Sequence, residues 1–128
     1  FSIERQHKLY RRSKKNLTNL GYKTINIKYG DGYKGLQGHQ PFDKILVTAG
    51  AEILPKQLLL QLKIGGKLVI PIGKDIQKMT VIERKSEKSF DKKIYGNFKF
   101  VQLLNRSFLN PCVIFLILFY LIVVFSEI

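Results

Sequence analysis

The sequence predicts an α/β fold built on a partial doubly wound sheet, and three patterns predict it. As far as Gly73, alternating or apolar runs are separated by segments of helical composition, the mark of strand–helix–strand units. Beyond Gly73, strand-like runs follow one another with only polar turns between them, which implies antiparallel hairpins. Within the first part, the turn Gly30-Asp31-Gly32 precedes an apolar run that ends in Thr48-Ala49-Gly50-Ala51. A Gly/Asp turn beside a buried strand ending in small residues is how such a sheet offers a ligand edge.

Each element follows from local pattern. Phe1 to Glu4 alternates and ends in an acid, a short strand. Arg5 to Leu20 is helical, with Leu9, Leu17 and Leu20 recurring on one face, and Gly21 is placed to end it. Thr24 to Tyr29 alternates as a strand, and Ile45 to Thr48 is a buried one. Pro55 opens a short helix over Lys56 to Leu62, Gly65-Gly66 breaks it, and Lys67 to Ile72 returns to strand. Met79 to Glu83, Phe90 to Tyr95 and Phe98 to Leu104 are the later strands, separated by Lys85-Ser86-Glu87-Lys88 and by Gly96-Asn97. From Phe108 to Phe125 the chain is almost wholly apolar, without amphipathic period. This run is read as an apolar C-terminal helix with membrane contact, the basic excess before it keeping the domain on the cytoplasmic side.

With 128 residues there is room for one domain. The net charge of +13 raises polyanions as partners, but Lys and Arg are spread through every segment, so a solvated surface is the reading and no nucleic acid is expected. Cys112 is the only cysteine, which excludes an internal disulfide and a Cys-based zinc site and points to a reducing compartment. The start at Phe1, without a leader pattern or an initiator Met, is read as the start of a fragment.

Few residues can carry chemistry. Glu4, at a strand tip, suits hydrogen bonds from a ribose diol, or equally the N-terminus of the following helix. Asp31 suits an amino donor on a ligand, or an Asx-turn onto its own backbone, while Gly30 and Gly32 permit close approach. Asp43 is read as shaping the turn into its strand. His7 and His39 lack partners at metal-ligand spacing, and no nucleophilic triad is suggested. The dispersed tyrosines are read as core and turn residues.

Together the segments 1–5, 16–22, 30–35, 41–51 and 62–73, with a weaker echo at 98–104, resemble the protein-L-isoaspartate O-methyltransferase family from its second strand onward. The resemblance covers about residues 1–105, a partial S-adenosylmethionine-dependent methyltransferase domain, and leaves 106–128 as an apolar tail. It implies a methyltransferase sheet lacking its first strand, with antiparallel strands at its C-terminal side. It also implies S-adenosylmethionine as cofactor, L-isoaspartyl proteins or peptides as substrates, and a cytoplasmic monomer. By the same resemblance Glu4 matches the ribose-binding acid, Asp31 and Gly32 match the adenine contacts, and Thr48, Ala49 and Ile70 lie on the substrate side. No catalytic side chain is assigned. The family's glycine-rich cofactor loop and first strand have no counterpart here, so the strands at Ile3 and Ile45 are expected to lack a partner or to pair together. Methyl transfer by these 128 residues alone is therefore not expected. The other reading is a non-catalytic basic module tethered to a membrane by residues 108–125.

Overall fold

The computed structural model describes residues 1–103 and the backbone of residues 122–125. Strand β1 (Ser2–Glu4) leads into helix α1 (His7–Asn19), which crosses over to strand β2 (Ile27–Tyr29), parallel to β1. Gly21, at φ +79°, ends the helix as the sequence predicts, and the Tyr22 N–H donates to the Leu17 carbonyl at 3.0 Å. Two 3-10 turns, Gly32–Lys34 and Gln37–His39, then carry the chain to β3 (Phe42–Val47). Helix α2 (Lys56–Leu60), with Pro55 at its cap, crosses to β4 (Leu62–Ile72), parallel to β3. Strands β5 (Gln77–Arg84) and β6 (Phe90–Phe98) complete an antiparallel meander on β4.

The core lies on the parallel strands. Ile3, Phe42, Ile45, Val47, Leu58, Leu62, Leu68, Ile70 and Ile82 form one buried cluster, as expected where βα crossovers cover a sheet. Helix α1 sits at its margin. It buries none of its residues fully, and Leu20, counted on its apolar face, is 71% exposed.

Some boundaries differ from expectation. Gly65 and Gly66 do not break a helix; they lie within β4, where four residues (63–66) oppose the single Asp43 of β3. Gly66 is needed there because a Cβ would stand 2.9–3.0 Å from the carbonyl oxygens of Lys63, Asp43 and Phe42. Asp43 lies inside β3, paired with Lys63 Nζ at 2.8 Å, rather than in the turn before it. Gly96-Asn97 does not separate two strands either. Both lie in β6, across an irregularity in its pairing with β5, and of the strand expected over 98–104 the described residues 99–103 keep only a bridge at Gln102, while residue 104 lies outside the described residues.

The largest correction concerns the tail. The part of it that is described is not helical: Ile122–Phe125 forms strand β7, antiparallel to both β1 and β3. The sheet order is β2-β1-β7-β3-β4-β5-β6. Strands β1 and β3 therefore neither lack a partner nor pair together. Their facing edges carry N–H and C=O groups that need hydrogen bonds, and a β-branched run, Ile-Val-Val, is suited to supply them. Among the described residues no helix is long and apolar enough to cross a membrane. The remainder of the expected membrane segment, 108–121, lies outside the described residues.

Candidate functional site

Parallel strands direct their C-terminal ends to one side, and the loops that leave them there form the edge on which a doubly wound sheet binds ligands. The Gly30 N–H donates to the Glu4 carbonyl at 3.1 Å, so the ends of β1 and β2 are stitched together and Asp31 follows directly. The sequence-predicted pair, Glu4 and Asp31, thus stands at the ends of neighbouring strands.

Both carboxylates are buried, at 4% and 8% exposure, and each serves its own backbone with one oxygen. Glu4 Oε1 accepts the Gln6 N–H at 2.7 Å, where α1 begins. Asp31 Oδ1 accepts the Tyr33 N–H at 3.0 Å, capping the 3-10 turn. Both alternatives left open by the sequence have a local counterpart: Asp31 forms the Asx-turn, and Glu4 bonds the Gln6 N–H just before α1, although that helix has no side-chain cap bond. They account for one oxygen of each acid. Asp31 Oδ2 is buried and, among the described residues, has no hydrogen-bond partner. A buried carboxylate oxygen without a donor is costly, and a ligand N–H or O–H arriving at this edge would satisfy it. Burial raises the Glu4 carboxyl above the usual carboxylate value, against the opposing pull of the Gln6 and Arg5 backbone N–H groups and the Arg5 charge.

The second half of the edge follows β3. Thr48 is half-buried and Ala49 buried, and Gly50 and Ala51 are fixed by main-chain bonds to neighbouring segments. The Gly50 N–H donates to the Val101 carbonyl at 2.7 Å, and the Ala51 N–H to the Pro71 carbonyl at 2.8 Å. Gly50 packs against buried Gln77, whose Cγ a Cβ would meet at 2.8 Å. Ile70, expected on the substrate side, is fully buried in the core, opposite Thr80 of β5. Burial pushes the Tyr33 phenol up, against the opposing pull of the Glu52 backbone N–H.

One participant escaped the sequence reading. Gln61 is 1% exposed and holds the loop after Asp31 from below, its Oε1 accepting the Leu36 N–H and its Nε2 donating to the Lys34 carbonyl, both at 2.8 Å. The only signal was a lone amide inside the apolar run Leu58 to Leu62. The histidines lie elsewhere: His39 stacks on Phe1 at 4.4 Å, and His7 meets Tyr29 edge-on. Tyr22, Tyr29 and Tyr95 are exposed rather than core residues. Two open grooves run along α1, one of about 520 Å³ against β2, and neither is lined by Glu4 or Asp31.

With this geometry in place, comparison with known proteins is direct. The family model for protein-L-isoaspartate(D-aspartate) O-methyltransferase matches residues 1–108. Protein-L-isoaspartate O-methyltransferase of Christiangramia forsetii is 55% identical over 104 residues, covering 81% of this chain and 49% of that protein. Its namesake in Flavobacterium psychrophilum is 53% identical with the same coverage. The chain spans about half the length of the curated relatives it matches. Among solved structures, a protein-L-isoaspartate O-methyltransferase superposes with a TM-score of 0.73 at 26% identity, over 80% of this chain and 33% of the other. A Plasmodium falciparum structure, described as a protein of this family in complex with S-adenosyl-L-homocysteine, gives 0.69 at 28% identity, over 80% and 50%. The sequence match and the shared fold agree, and this chain belongs to the protein-L-isoaspartate(D-aspartate) O-methyltransferase family.

Proposed function

We propose that the chain carries the adenosine-holding wall of a cytoplasmic, S-adenosylmethionine-dependent protein-L-isoaspartate O-methyltransferase, acting in the repair of proteins and peptides with L-isoaspartyl residues. The observation that carries this reading is the unpartnered, buried Asp31 Oδ2 at the joined ends of β1 and β2. An adenine amino group is a donor that such an oxygen accepts, and Gly32 beside it leaves the backbone open to a planar ring. Glu4 receives the ribose hydroxyls, and the buried position strengthens those bonds.

S-adenosylmethionine, when bound, supplies an electrophilic methyl group. An isoaspartyl carboxylate is ionised at neutral pH and needs no general base to become a nucleophile. The protein's task is then to hold and orient. Thr48 and Ala49 border the substrate side of the edge, and Ile70 supports that edge from the core. None of these residues donates or removes a proton in this scheme.

Titration calorimetry with S-adenosyl-L-homocysteine tests the reading. The 128-residue chain binds it in a one-to-one complex. Asp31→Asn, which keeps the turn cap through its own carbonyl oxygen but presents an amino group in place of Oδ2, weakens binding at least about tenfold, in line with the loss of a hydrogen bond to a charged group. No binding by the wild-type chain, or equal binding by the variant, contradicts it.

A further inference from the structure

Gln61 follows α2 and spends its entire side chain on a loop 25 to 27 residues away in sequence. Between the two groups it holds, the Leu36 N–H and the Lys34 carbonyl, Gly35 adopts φ +63°, and a Cβ there would lie 2.3 Å from Gln61 Oε1. The amide therefore lies flat against bare backbone, and only glycine leaves the space. The main chain of Gln61 is engaged as well. Its carbonyl accepts the Phe42 N–H at 2.8 Å, where β3 begins. One residue thus ties the end of α2, the loop after β2 and the entry to β3.

We propose that Gln61 is a positioning residue of the ligand site: with Gly35 it forms a latch that fixes the Asp31–Leu36 loop so that Asp31 Oδ2 and the Gly32 backbone stand ready for the adenine of the cofactor. This rests on the assignment of Asp31 to the adenine. The chemistry is specific to an amide. The latch needs one acceptor and one donor at fixed separation, in a place closed to water, and among neutral side chains of this length only glutamine presents both. A methionine of similar shape fills the space and holds neither group. A glutamate holds both only when protonated. Ionised, it accepts from Leu36 but turns an oxygen toward the Lys34 carbonyl. The charged residues on the elements around Gln61 are Arg84 of β5, which donates to the Leu60 and Leu62 carbonyls on either side of it, and Asp31 and Lys34 on the loop it holds.

Amide hydrogen exchange followed by NMR on the 128-residue chain, corrected for the intrinsic pH dependence of exchange, tests the latch in wild type, Gln61→Met and Gln61→Glu. At pH 7.5 both variants exchange Tyr33, Gly35 and Leu36 at least tenfold faster, while Ile82 in the core changes less than threefold. On acidification Gln61→Glu regains loop protection and Gln61→Met does not. S-adenosyl-L-homocysteine affinity at pH 7.5 falls at least tenfold in Gln61→Met. An unchanged loop, a uniform loss of protection that includes Ile82, or no acid rescue overturns the latch. Unaltered ligand affinity with a loosened loop overturns the positioning role. Failure of the wild-type chain to bind the ligand at all contradicts the adenine assignment instead, and the exchange data still decide the latch.

Discussion

Asp31 and Glu4 show how a carboxylate that serves its own backbone can also be read as a ligand group, as in the site proposed above. Each gives one oxygen to the backbone that places it, which is why the sequence left two readings open for both: the residue types that cap turns are the types that bind ligands. No pattern in the chain reports that Asp31 Oδ2 ends up buried without a partner. Gln61 was illegible for a related reason, since its partners lie 25 and 27 residues away. Burial of Glu4 has a consequence that can be measured. Its folded-state value lies above the usual 4.5, so the folded form holds its proton more tightly than the unfolded chain does. Glu4 then adds no penalty below about pH 4.5, and the stability it permits is lost as pH rises through its raised value. Glu4→Gln accordingly melts at a higher temperature than wild type at pH 7, and the gap closes in melts below pH 4.5. The same variant loses affinity for S-adenosyl-L-homocysteine. Greater stability with weaker binding is the pattern of a residue kept for its site.

At the scale of elements, local chemistry was most legible where one residue type enforces one conformation. Gly21 marks the end of α1, Pro55 the start of α2, and Lys85–Ser89 the turn between β5 and β6. Glycines misled where they sit inside a strand instead of ending an element, Gly65 and Gly96 by adopting positive φ and Gly66 by permitting close approach. Gly66→Ala tests this distinction. Three carbonyl oxygens crowd the added methyl, and the main chain must shift, so urea unfolding is expected to register a loss of about 1–3 kcal/mol. Gly38, with open space around the corresponding position and no positive φ, is the control; Gly38→Ala leaves stability within about 0.5 kcal/mol.

For the whole molecule, the order of crossovers and hairpins was readable from hydrophobic period, but the neighbour of β1 was not. An apolar run of this length is equally a helix, a membrane segment or a strand by composition. Only the open edges of β1 and β3 decide for Ile122–Phe125, and those edges are a property of the assembled sheet. Strand β7 joins the β1–α1–β2 unit to the rest: Val123 pairs with Ser2 on one side and Leu46 on the other. Val123→Pro removes a ladder donor at that junction. It is expected to lower stability by about 1–3 kcal/mol in urea unfolding, with amide protection at Ile3 lost before that at Ile82.

The central claim is that the ends of β1 and β2 receive an adenosine through Glu4, Asp31 and Gly32. Backbone amide shifts of the 128-residue chain during titration with S-adenosyl-L-homocysteine test it most directly. Saturable shifts are expected at Arg5, Gly30, Asp31, Gly32 and Tyr33, with the Lys85–Ser89 turn unmoved. Shifts confined to the grooves along α1, or none at all, would contradict it.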